Sequence, residues 1–250
     1  MGLEGRVALV TGGGRGIGAS IALGLAEDGA DVAVNYRRSA DEAAAVVGEI
    51  EAMGRRAIAV VGAIEDAEAG RAMVARTVDE LGSLDILVHN AGVASRGKSV
   101  ADTDPDEPAR LLGIHAIGPF HLTQAALPHL REGARGDVVF ISSVATRHMA
   151  ANGSPYNMGK AAMDALAFTL AREERRNGVH VNIVAPGLVR TEMGRRLVGA
   201  VGIDIDTIDE RSPFGRVCRP EDVAAVVRWF VSEGAGYVTG ERVFVDGGGT

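Results

Sequence analysis

The sequence predicts an α/β protein built on a doubly wound, parallel, seven-stranded sheet with helices on both faces. Three observations carry that expectation. Short apolar runs rich in β-branched residues recur along the chain at 7–10, 32–34, 57–61, 86–88, 138–141, 179–185 and 243–245, and several are apolar throughout, as strands covered on both faces must be. Longer helical patterns separate them, near 16–29, 40–53, 66–81, 105–131, 155–177 and 220–232. Strand, helix, strand repeated in this way implies right-handed crossovers. A glycine-rich turn then joins the first strand to the first helix.

Length and composition suit one domain spanning 1–250, since the chain has 250 residues and 46% hydrophobic content, enough for a full core. No repeat, low-complexity tract or linker divides it. The only cysteine is Cys218, so an internal disulfide is excluded and a reducing compartment is expected. The opening MGLEGRVALV shows no leader-like pattern, and no run is long enough to cross a bilayer. A cytoplasmic protein with no membrane partner is the expectation. A formal net charge of −7 argues against general affinity for nucleic acid.

In chain order, the first strand runs into TGGGRGIG at 11–18. Glycines let the backbone turn sharply and approach a ligand, and the helix that follows offers free amides and a positive dipole end to a pyrophosphate. The second strand ends in Asn35-Tyr36-Arg37-Arg38. A carboxylate there would bond a ribose 2′-hydroxyl, whereas arginine accommodates a 2′-phosphate. With Arg15 able to reach the same region, the sequence favours NADP(H), with NAD(H) possible; otherwise Arg37 and Arg38 are solvated surface charges. The third strand leads to Ala63-Ile64, and Asp66 is placed to begin the next helix.

The fourth strand ends in His89-Asn90-Ala91-Gly92, small residues against which a ligand can lie. Residues 92–99, GVASRGKS, match the P-loop pattern letter for letter. A P-loop leads straight into a helix, and here Pro105 and Pro108 follow instead. The fifth strand ends in Ser142-Ser143, and the next helix opens with Ser154 as a cap, Pro155 in its first position, then Tyr156 and Lys160. Four residues apart, the phenol and the ammonium share one helix face.

That spacing has a chemical use. A free phenol titrates near pH 10, so it shuttles protons at neutral pH only if a neighbouring cation favours its anion. Lys160 supplies that cation, and Ser143 could hydrogen-bond a carbonyl oxygen beside the phenol. Tyr-x-x-x-Lys is also an ordinary amphipathic pair, but Lys160 and Lys98 are the only lysines in an arginine-rich chain, which suggests that an ammonium is needed here.

Taken together, TGGGRGIG, the Asn-Ala-Gly turn, Ser143…Tyr156…Lys160, Pro186-Gly187 and the closing Val245-Asp246-Gly247-Gly248 resemble the short-chain dehydrogenase/reductase family, along essentially the whole chain. Within it the likeness is greatest to bacterial 3-oxoacyl-(acyl-carrier-protein) reductases and related secondary-alcohol dehydrogenases. The resemblance implies a Rossmann-type fold and hydride transfer between nicotinamide and a carbonyl or secondary alcohol, including an acyl-thioester. It implies Tyr156 as general acid, Ser143 on the substrate oxygen, and Lys160 on the nicotinamide ribose. It also implies a cofactor site made of Gly12, Arg15, Gly16, Ile17, Gly18, Tyr36, Arg37, Ala63, Ile64, Asn90, Ala91, Gly92, Pro186, Gly187, Val189 and Thr191. A homotetramer assembled through the 155–177 helix and the C-terminal segment is expected on the same ground.

Two departures stand out. Where the family usually places an asparagine in a proton path to the lysine, this chain has His115, which either takes over that relay or is a packed core histidine. Where an aspartate usually meets the adenine, it has Ala63-Ile64. These departures motivate an alternative function, a dinucleotide-binding sensor or structural subunit with weak catalysis. The remaining histidines lack metal-ligand spacing, so no metal site is expected. Residues Arg147, His148, Met149 and Asn152 either border the substrate or form an exposed loop. The irregular 190–213 segment suits a mobile lid, or a surface loop.

Overall fold

The computed structural model describes residues 2–199, 202–210, 212 and 214–249. Seven strands form one sheet: β1 (Val7–Val10), β2 (Asp31–Tyr36), β3 (Ala57–Val61), β4 (Ile86–His89), β5 (Gly136–Ile141), β6 (Val179–Pro186) and β7 (Arg242–Val245). Every pairing is parallel, and the spatial order is β3-β2-β1-β4-β5-β6-β7. The winding reverses between β1 and β4, which opens a crevice beyond their C-terminal ends, where such sheets take ligands.

Alternation along each strand builds two cores. Ala8, Val10, Val32, Val34, Ile86 and Val88 face one way, against Ile21 and Leu25 of α1 (Gly16–Glu27) and Val227 and Phe230 of α10 (Pro220–Val231). Val7, Leu9, Leu87, Val138 and Phe140 face the other way. They pack on α3 (Ala67–Leu81), α5 (Gly118–Leu130) and α7 (Ser154–Glu174). A sheet covered on both sides has no polar face, which is why its strands read as continuous apolar runs.

Local chemistry sets the helix ends. Asp66 caps α3, its carboxylate accepting from Glu68 N and Ala69 N at 2.9 and 3.2 Å, and Gly82 ends that helix with φ +98°, a conformation that glycine adopts without a Cβ penalty. The helix α2 (Ala40–Ala52) lies between β2 and β3. The expected long helix over 105–131 is instead α4 (Asp106–Leu112), a π-helical turn (Gly113–Ile117) and α5. Gly118, at the junction, lies so close to the Ile64 carbonyl that any side chain there would overlap it.

Two further expectations are corrected. Ser154 is the first residue of α7 rather than its cap; Gly153 takes the cap position, and Pro155 is the second helical residue rather than the first, still within the first turn, where its missing N–H costs nothing. The 190–213 segment is not irregular throughout: it contains α8 (Glu192–Gly199) and α9 (Ile205–Asp209), joined at their root by Arg190, which pairs with Asp206 and Asp209. Parts of that segment lie outside the described residues. A short helix absent from the sequence reading, α6 (Ala145–His148), follows Ser143.

Candidate active site

The strand ends place the chemistry. β5 delivers Ser142 and Ser143 to the crevice, and α7 returns across it, so that Ser143 and Tyr156 hydrogen-bond side chain to side chain. The Ser143 hydroxyl also accepts from Ala145 N at 3.1 Å, which fixes its orientation. Lys160 lies one turn behind Tyr156, its Nζ 5.9 Å from the phenol ring centroid. The three groups singled out in the sequence therefore converge.

Their electrostatics differ from expectation in one respect. Burial pushes the Tyr156 phenol above its ordinary pKa, and the Ser143 hydrogen bond opposes this only in part. The expected depression by Lys160 is not present, because its ammonium donates to the Ile141 carbonyl at 2.7 Å and does not reach the phenol oxygen. Lys160 is itself pulled down to about 8, chiefly by burial, with the Asp164 carboxylate working in the opposite direction.

His115 is completely buried in the π-helical turn. Its Nε2 lies 2.8 Å from the Val93 carbonyl, so Nε2 carries the proton and Nδ1 is a lone pair. Nδ1 has no hydrogen-bond partner among the described residues. Burial, helped by the Lys160 and Arg110 cations, pushes the ring down to about 3, so it is neutral at physiological pH. With Nε2 committed to a carbonyl oxygen, what the ring offers to a neighbour is the acceptor at Nδ1. Its edge meets the Tyr156 ring at 5.4 Å and 86°, and a side chain at Gly92 or Gly159 would crowd it.

The glycine turn sits beside this centre. Gly12 has φ +62°, and a side chain on Gly18 would overlap the Gly12 carbonyl, so neither position tolerates a substituent without movement. Helix α1 begins with no side-chain cap and no acid in its first turn, which leaves the amides of Gly16, Ile17 and Gly18 available to an anion. Such a cradle fits a dinucleotide pyrophosphate. Arg15 does not turn toward β2 as the sequence suggested; its guanidinium meets Glu192 of α8 at 2.9 Å. Thr191 packs against Gly16, so the segment after β6 closes over the turn. At its root Gly187 N donates to Val245 O at 3.0 Å, Pro186 O accepts from Val144 N at 3.0 Å, and Val189 bridges to Cys218.

On the other side of the turn, Tyr36 ends β2 and packs on the first core, while Arg37 pairs with Glu65 at 2.9 Å. Ile64 is buried and Ala63 partly so. Asn90 Nδ2 donates to the Thr11 and Gly12 carbonyls at 2.9 and 3.1 Å. Thr11 Oγ1 accepts from the amides of both Asn90 and Ala91. Residues 92–99 form no helix. In and just after α6, Arg147, His148 and Met149 are all exposed, and Arg147 stacks over Phe244 at 3.9 Å.

Sequence reasoning missed two residues that hold this geometry. Asn35 is buried; its Oδ1 accepts from Gly12 N at 3.1 Å, and its Nδ2 donates to the Val60 and Gly62 carbonyls at 3.1 and 3.2 Å. The signal was a polar residue inside the apolar β2. Thr11 was the second, a hydroxyl at the end of β1.

A family model described as enoyl-(acyl carrier protein) reductase matches residues 12–250. A short-chain dehydrogenase from Burkholderia cenocepacia, solved in complex with NADP, superposes with a TM-score of 0.89 at 41% identity, covering 98% of both chains. The chain belongs to the short-chain dehydrogenase/reductase family. Among curated relatives, the L-rhamnose 1-dehydrogenase (NAD(P)(+)) of a Sphingomonas species is 36% identical over 98% of this chain and 96% of its own. The 3-oxoacyl-(acyl-carrier-protein) reductase of Staphylococcus aureus is 37% identical over 96% of each. The Rossmann-type parallel sheet expected from sequence is thus the fold of this short-chain dehydrogenase/reductase.

Proposed function

We propose that this short-chain dehydrogenase/reductase transfers hydride between NADP(H), with NAD(H) also accepted, and a carbonyl or secondary alcohol. The observation that carries the reading is the convergence of Ser143, Tyr156 and Lys160 beside an uncapped glycine turn. The printed cofactors of the relatives, NADP in the Burkholderia structure and NAD(P)(+) in the rhamnose dehydrogenase, support the cofactor class.

In this reading Gly12, Arg15, Gly16, Ile17 and Gly18 hold the pyrophosphate, and Tyr36 and Arg37 the adenosine ribose. Ala63 and Ile64 line the adenine, and Asn90, Ala91 and Gly92 support the middle of the cofactor. Pro186, Gly187, Val189 and Thr191 border the nicotinamide, which when bound supplies or accepts the hydride. The Ser143 hydroxyl donates to the substrate oxygen and holds it beside Tyr156. The phenol gives that oxygen its proton as the carbonyl is reduced, and accepts it back in oxidation. The Lys160 ammonium stabilises the resulting phenolate once it leaves Ile141. His115 is a positioning residue, its ring edge seating the phenol. Donors fixed before the alkoxide develops account for most of the acceleration.

A panel of ketones, 3-oxoacyl thioesters and sugars, assayed with NADPH and NADH side by side, tests the activity and narrows the substrate. Tyr156→Phe should keep cofactor affinity and lose turnover roughly a thousandfold; turnover at the parent rate would remove Tyr156 as the acid. Cofactor binding with no turnover on any substrate would favour the weakly catalytic sensor. We also place the protein in the cytoplasm as a homotetramer. The exposed Met158 on α7, with the exposed Ile117 at the end of the π-helical turn and Phe120 on α5, supports such an assembly, and light scattering tests it.

A further inference from the structure

We propose that Glu65 sets the balance between NADPH and NADH, an inference that rests on the cofactor reading above and deepens it. The residues after β2 supply two arginines and no carboxylate. The fold brings a carboxylate to them from the neighbouring strand. Tyr36 pairs with Val61 in the β2–β3 ladder, and Gly62 N donates to Tyr36 O at 2.9 Å, so the two strand exits run side by side. Glu65 Oε1 then lies 2.9 Å from Arg37 Nη2.

The backbone that carries the carboxylate is anchored on both sides. Its neighbour Ile64 is 6% exposed and anchored in the second core. On its other side Asp66 starts α3, with its amide bonded to Ala63 O at 3.1 Å. The Glu65 side chain is 31% exposed against 51% for Arg37. Arg38 is exposed and has no ion-pair partner among the described residues. The rim therefore presents an Arg37–Glu65 ion pair and, in Arg38, a second guanidinium with no ion-pair partner among the described residues.

These charges act differently on the two cofactors. A ribose 2′-hydroxyl can donate to Glu65 and leave the ion pair intact. A 2′-phosphate must draw Arg37 away from Glu65 and then sit beside an uncompensated carboxylate. The preference for phosphate that Arg37 and Arg38 would confer is thereby reduced, and a carboxylate from the β3–α3 turn does the work that the end of β2 leaves undone.

The test is titration of the full chain with NADPH and NADH, followed by cofactor fluorescence, for the parent, Glu65→Gln and Arg37→Gln. Glu65→Gln should raise the ratio of NADPH to NADH affinity by roughly tenfold, the scale of a like charge a few ångströms from a dianion in a mostly aqueous setting. Thermal unfolding should match the parent, because the side chain is at the surface. If Glu65→Gln leaves the ratio within about twofold while Arg37→Gln weakens NADPH, the role of Glu65 is overturned and the cofactor reading stands. If the parent binds neither cofactor, the cofactor reading falls and takes this inference with it.

Discussion

Lowering the pH from 7.5 to 5 should destabilise this protein by about 4 kcal/mol, through two buried histidines. His89 and His115 are 1% and 0% exposed. His89 lies 2.8 Å from Thr123 Oγ1 and stacks on Phe140 with 4.5 Å between ring centroids. Burial pushes both rings down to about 3, against roughly 6.5 in an unfolded chain. The folded state therefore binds fewer protons than the unfolded state between those values. Stability is fully present above pH 6.5 and is lost as pH falls toward 3. At pH 5, about one and a half units below the unfolded value, each ring contributes a loss of about 2 kcal/mol at about 1.4 kcal/mol per unit.

Asp31, Glu174 and Asp222 are held low by their arginine partners, so their stabilisation is lost only at more acid pH. Lys160, at about 8, is largely protonated throughout most of the range. Urea unfolding followed by circular dichroism at pH 7.5, 6.5, 5.5 and 5 measures the effect, and His115→Asn should remove about half of the pH dependence. A midpoint that does not move between pH 7.5 and 5, or an asparagine variant with the full slope, would refute the assignment.

Two other outcomes are expected. Because Lys160 loses its proton near pH 8, carbonyl reduction should slow as pH rises through that value; a flat profile to pH 10 would show that the ammonium persists in the working enzyme. Asn35→Ala should cost about 2–3 kcal/mol, since it leaves Gly12 N and the Val60 and Gly62 carbonyls without their partner. It should also weaken cofactor binding by loosening the glycine turn. Unchanged stability and affinity would show that Asn35 is not the fastener described above.

The parts of this fold that were legible in the sequence are those in which local and tertiary demands agree. Strands buried on both faces must be apolar, so β1 and β5 stood out, and a glycine turn between strand and helix has few other readings. Tyr156 and Lys160 could be placed because they share one helix. What the ammonium would touch could not be read, since the Ile141 carbonyl competes for it across the fold. The same limit hid Asn35, whose partners lie in the glycine turn, on β2 and on β3. The break in the 105–131 helix had a signal that was overlooked, since Pro119 directly follows GIHAIG and has no N–H to donate to the His115 carbonyl, while the close approach of Gly118 to the β3–α3 turn lies beyond local sequence. In the 190–213 segment, scattered glycines obscured the short helices that Arg190 ties together.

The π-helical turn at Gly113–Ile117 also constrains how this chain can vary. Such a turn accommodates roughly one extra residue, about 100° of helical rotation, so α4 and α5 keep separate phases on either side of it. Removing a single residue would splice them into one continuous rod, swing the apolar stripe of α5 off the sheet and carry the imidazole out of its niche. Side chains here can be exchanged with local consequences. The number of residues cannot, because length at this point acts as a register shared by the core and the catalytic centre.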